Sequence, residues 1–205
     1  MLRSKFFAVL FAVTFLLSLS GSALACACCA ERGFRSLRVA ALDEYQRGLL
    51  KDMKMEDTVN LYTDEAGFEM IRGLRDLEKE YNDGGLEKID LVSSYLNNSW
   101  KITIKTPGGK TGTLTLPRPS VATMFKVDQF ERTEGDAVLY KEFMFNGNVG
   151  SGTGAFKSGI VSPTKYSLVF MGKGNFCDNA EDFTNWRLEI NGSKARYAFF
   201  GKMKA

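Results

Sequence analysis

The sequence predicts a mainly β domain, an antiparallel β-barrel or β-sandwich of about 7–9 strands with one inserted α-helix at about 64–82. Three observations carry that expectation. From Trp100 onward, apolar and polar residues alternate with a period of two in run after run. Glycine, proline and Asn-Gly signals separate those runs at short intervals. Only one stretch with convincing helical spacing, 64–82, precedes them.

Residues 1–25 have the form of a secretory signal peptide. Arg3 and Lys5 supply the charged start, Phe6 to Leu17 is almost unbroken apolar, and Ala23-Leu24-Ala25 fits a small-x-small cleavage site. The apolar run is shorter than the roughly 20 residues a membrane-spanning helix needs. Residues 26–205 then form one domain, secreted or periplasmic, with no transmembrane segment after the leader. Cys26 at the new terminus raises a lipid anchor as an alternative, although Ala23 stands where that pattern wants a branched apolar residue.

Residues 30–62 read two ways. Phe34, Leu37, Ala41, Tyr45 and Leu49 recur at helical spacing, while Phe34 to Val39 equally suits an edge strand. Thr58 to Tyr62 is a short strand. Thr63 can cap the helix, with Asp64 and Glu65 in a first turn where acids favour the helix dipole. Ile71, Leu74, Leu77 and Tyr81 then fall three or four apart, and Asn82-Asp83-Gly84-Gly85 stops the segment. Trp100, Ile102 and Ile104 begin the strands, and Pro107-Gly108-Gly109 turns the chain into Thr111 to Leu116. Val121, Thr123, Phe125 and Val127 continue the alternation. Val138 to Phe145 and Lys165 to Met171 are apolar on both faces and suit central strands. Gly147 to Gly154 reads as a glycine-rich connection. Trp186, Leu188 and Ile190 lead to Asn191-Gly192, a hairpin turn returning through Ala195, Tyr197 and Phe199.

The chain has no histidine. Ser-His-Asp and Cys-His hydrolases, His-ligated haem and the common His-containing zinc sites are therefore excluded. There are 27 lysines and arginines against 24 acids, and the leader holds two of the cations, so the remainder carries only +1. Such a balance argues against nucleic acid as a partner. Gly109-Lys110-Thr111 lacks the upstream glycine and following helix of a phosphate loop. Nothing in the sequence calls for a cofactor.

Four cysteines remain, Cys26, Cys28, Cys29 and Cys177. In an oxidising compartment the expected bond joins Cys177 to Cys28 or Cys29, because a ring between adjacent cysteines is strained. A staple over so long a loop is worth about 3–5 kcal/mol in the chain-entropy model. The competing reading is a soft-metal site for Cu(I) or zinc built from Cys26, Cys28 and Cys29. Asp178, Glu181 and Asp182 crowd one loop and are oxygen donors of the kind that hold calcium. Were the strands to close into a barrel, Tyr140, Tyr166, Phe170 and Trp186 would be the aromatics nearest an apolar cavity.

The function expected is that of an exported, non-enzymatic β-rich binding or envelope protein, partnered by a small apolar ligand or another envelope protein. A thiolate metal handler and an exported carboxylate-based hydrolase are the alternatives.

Overall fold

The computed structural model describes residues 29–72, 88–106, 108–129 and 137–204. Strand β1 (Arg35–Ala40) is followed by helix α1 (Glu44–Asp52), strand β2 (Thr58–Tyr62) and helix α2 (Glu65–Arg72). Nine strands follow: β3 (Lys88–Leu96), β4 (Ser99–Lys105), β5 (Thr111–Pro117), β6 (Ala122–Asp128), β7 (Leu139–Asn148), β8 (Ser151–Gly154), β9 (Lys165–Gly174), β10 (Phe183–Asn191) and β11 (Arg196–Lys202). They form one antiparallel sheet in the order β1-β6-β7-β9-β10-β11-β2-β3-β4-β5-β8.

The sheet rolls over its own inner face. Ile102 of β4 and Leu114 and Leu116 of β5 share one core with Phe143, Phe145, Phe170, Trp186 and Phe199 from the other half of the sheet. Trp100 lies 4.9 Å from Phe145 and 6.1 Å from Phe170, ring centre to ring centre. Beyond β7 the chain turns a corner where the Val149 amide donates to the Thr164 carbonyl and the Gly150 amide to that of Thr115 on β5. The two halves of the roll meet there. The roll is not a closed barrel, because β1 and β8 remain the two end strands.

Helix α1 adds Leu49 and Leu50 to this core. Its start is fixed by a reciprocal cap in which Asp43 accepts from the Gln46 amide at 2.8 Å and the Gln46 side chain accepts from the Asp43 amide. Helix α2 covers part of the outer face, where Phe68 and Ile71 pack on Tyr62, Tyr140, Val169, Met171, Ala198 and Phe200.

The fold is therefore β-rich as expected, with more strands and one more helix than the sequence reading named. The ambiguous stretch splits into both of its readings: Phe34 to Val39 falls on edge strand β1, and the Asp43 cap starts a separate helix at Glu44. Ser151 to Gly154 was expected to be connection only, yet it pairs with β5. Two glycines hide it. A Cβ on Gly152 would sit 2.5 Å from Ile160, and Gly154 has φ +55° with Thr111 O 2.0 Å from any Cβ. The helix expected over 64–82 begins as α2, and its continuation past Arg72 lies outside the described residues.

Close approach also governs β9. A Cβ on Gly172 would stand 1.7 Å from the Asp182 carbonyl oxygen, and one on Gly174 2.2 Å from its carboxyl carbon. Gly172→Ala is therefore expected to destabilise the fold by about 1–3 kcal/mol, read as a lower urea midpoint at unchanged slope.

Candidate functional site

Three of the four aromatics singled out in the sequence face inward. Phe170 and Trp186 belong to the inner core, and Tyr166 reaches from it to donate to the Pro117 carbonyl. Tyr140 does not join them. It lies on the outer face, where its hydroxyl donates to Glu142 at 2.7 Å. The strand phase explains the difference: Lys141, Phe143 and Phe145 take the inner face of β7 and leave Tyr140, Glu142 and Met144 outside. Burial pushes the Tyr140 and Tyr166 phenols well above their ordinary range, and the charge of Glu142 raises Tyr140 further. Both remain donors at neutral pH.

Beneath α2 the outer face holds a charged network. The Arg187 guanidinium donates to the Ile71 carbonyl at 3.2 Å and lies 3.8 Å from Glu142. Glu189 takes Arg72 at 2.6 Å. The arginines thus tie the C-terminal end of α2 to β10. Past the helix the outer face is apolar and uncovered among the described residues. Leu37 and Val39 of β1 are 69% and 65% exposed, and Phe125, Val127 and Met144 lie half-buried beside them. Arg35 stands 5.8 Å over the Phe125 ring.

The remaining candidates converge on the loop between β9 and β10. Asp178 forms an ion pair with Lys126 at 2.7 Å, and Asp182 accepts from Lys141 at 2.6 Å. Lys141 is fully buried, lies 3.7 Å from Asp178 and donates to the Cys177 carbonyl. Tyr45 of α1 donates to the Asp178 carbonyl at 2.6 Å. Asp178 and Asp182 are thus engaged by ammonium groups, while Glu181 stands exposed. Cys177 lines a groove of about 460 Å³ with Phe34, Tyr45, Met124, Lys126 and Phe176. The Phe34 ring meets Phe176 edge-on at 5.3 Å. Cys29 is exposed, and Cys26 and Cys28 lie outside the described residues.

Sequence reasoning overlooked Lys141 as the keystone of this loop, though its signal was visible: an adjacent Lys-Glu pair inside the apolar run Val138 to Phe145. Removing one charged partner from a buried ion pair costs about 3–5 kcal/mol. Asp182→Asn should therefore lower stability by about that much. The double variant Lys141→Met with Asp182→Leu should recover most of the loss, checked by chemical denaturation of all three proteins.

No helix among the described residues is long and apolar enough to cross a membrane. Compared with family models, with curated proteins and with solved structures, the chain matches none.

Proposed function

We propose that this chain is an exported, non-enzymatic binding protein of the cell envelope that takes an extended acidic segment of a partner protein along β1. One observation carries the reading. Among the described residues β1 ends the sheet with its outer edge unpaired, and its exposed Leu37 and Val39 continue the apolar strip of Phe125, Val127 and Met144. Arg32, Arg35 and Arg38 stand exposed along the same segment and favour acidic residues opposite. The inner face offers less support for a ligand chamber, because Trp100, Phe145 and Phe170 pack on one another there.

In this reading a disulfide between Cys177 and the 26–29 cluster secures the start of the mature chain next to β1. Phe34, five residues past Cys29, touches Phe176, and five residues span at most about 17 Å. The segment from Cys29 to Phe34 is thus short enough to hold the cluster near the loop that carries Cys177.

Two measurements test these statements. A short labelled peptide alternating Glu with Val should bind the folded protein in fluorescence anisotropy. Affinity should fall at least tenfold in Arg35→Glu/Arg38→Glu and in Leu37→Ser/Val39→Ser, while Val92→Ser on β3 changes nothing. Equal binding by all variants would overturn the β1 assignment. Peptide mapping of exported protein without reduction should find a mature terminus at Cys26 and a peptide joining Cys177 to the cluster. A fully alkylatable Cys177 would remove the staple.

A further inference from the structure

We infer that the groove between α1 and the β3–β4 hairpin is a binding site for a phosphorylated ligand, separate from β1 and independent of the reading above. The groove has a volume of about 920 Å³ and is lined by three cations, Arg47, Lys51 and Arg118, against one carboxylate, Glu44. None of these four forms an ion pair among the described residues, whereas Lys126, Lys141, Arg72 and Arg187 all do. Arg47 and Lys51 are four residues apart and so share one face of α1. Arg118 approaches from the sheet side.

Its position is fixed by the fold. Asn97 and Asn98 take φ of +52° and +55° at the hairpin tip, and the Asn98 carbonyl accepts the Arg118 amide at 2.8 Å. One guanidinium nitrogen of Arg118 donates to Pro119 O at 3.1 Å, while its Nε is buried with no partner. The guanidinium lines the groove, and its outer edge is where an oxyanion can meet it. Two exposed cations on α1 and a guanidinium fork opposite suit the several acceptor oxygens and double charge of a phosphoryl group.

Gly48 is the independent clue. It lies inside α1 and lines the groove, where glycine costs about 1 kcal/mol relative to alanine. Nothing in the fold demands it: its φ is ordinary, and a Cβ there would meet no atom within 4 Å. Its effect is to keep the groove floor open. The volume exceeds that of a bare phosphate, and Tyr95 with the exposed Leu96 gives the rim a surface for whatever the phosphate is attached to. That attachment is either a soluble polyol or a lipid.

The test titrates the whole mature protein with inorganic phosphate and with glycerol 3-phosphate by calorimetry. In parallel it is floated with phosphatidylcholine vesicles with and without phosphatidylglycerol. Saturable binding of glycerol 3-phosphate without flotation identifies a soluble ligand. Flotation only with phosphatidylglycerol identifies a lipid headgroup. Either should weaken at least tenfold in Arg47→Gln/Lys51→Gln and in Gly48→Glu. Gly48→Ala should raise the melting temperature slightly and show that the helix tolerates a side chain there. The assignment is overturned if no probe binds saturably, or if binding is unchanged in both groove variants while their melting temperatures match the parent.

Discussion

Strands β7, β9 and β10 carry buried side chains on both faces, and a sheet of that kind must be covered twice. On β7, Phe143 and Phe145 need one cover while Tyr140 and Glu142 need another. The inner cover comes from the sheet itself, which rolls until β4 and β5 lie over β7 and β9. Among the described residues the outer cover comes from α2, and it is partial. Burying a Phe or Leu side chain is worth about 1.5–3 kcal/mol, so the many apolar groups of the roll hold its shape. Among the described residues, α2 leaves the strip from Leu37 to Met144 uncovered.

The charged groups placed inside that double cover lie against opposite charges or carbonyls. Arg187 reaches the carbonyl end of α2 and Glu142, and Glu142 accepts from Tyr140. At the opposite face Lys141 points into the interior near the start of β7, and the loop carrying Cys177, Asp178 and Asp182 folds over it. Gly172 and Gly174 permit that loop to approach β9 at backbone distance. The same two carboxylates that a composition argument offers to calcium are, in the folded chain, the counter-charge of a buried strand residue. The chemistry of a cluster depends on what the sheet brings opposite to it.

This is also where the sequence is legible and where it is not. Alternation at Trp100, Ile102 and Ile104 and the two-faced runs at Val138 and Lys165 mark strands without any tertiary information, because side-chain direction repeats every two residues. Residues 34–49 superimpose a strand and a helix in one apolar pattern, and only the Asp43–Gln46 cap separates them. Strand β8 carries two glycines in four residues and so has almost no side-chain signal. The placement of Tyr140 failed on phase: counting it with Tyr166 and Phe170 assumes one face, and a single residue of offset reverses the face. Lys126 opposite Asp178, and Arg118 opposite Arg47, are long-range juxtapositions that no local pattern encodes.

The near-neutral total charge hides an uneven distribution, and the unevenness separates scaffold from surface. Cations that hold the scaffold together are paired and shielded: Lys141, Lys126 and Arg187 sit low in the structure against carboxylates. Cations at the two open features have no carboxylate partner among the described residues: Arg35 and Arg38 on the sheet edge, Arg47, Lys51 and Arg118 around the α1 groove. A protein stabilised chiefly by charge would show the reverse, since surface pairs add little and buried pairs must at least offset desolvation. Here apolar burial holds the fold and the buried ions satisfy one another. Arg35 and Arg38 then lie beside an apolar edge, and Arg47, Lys51 and Arg118 around a groove lined by Gly48.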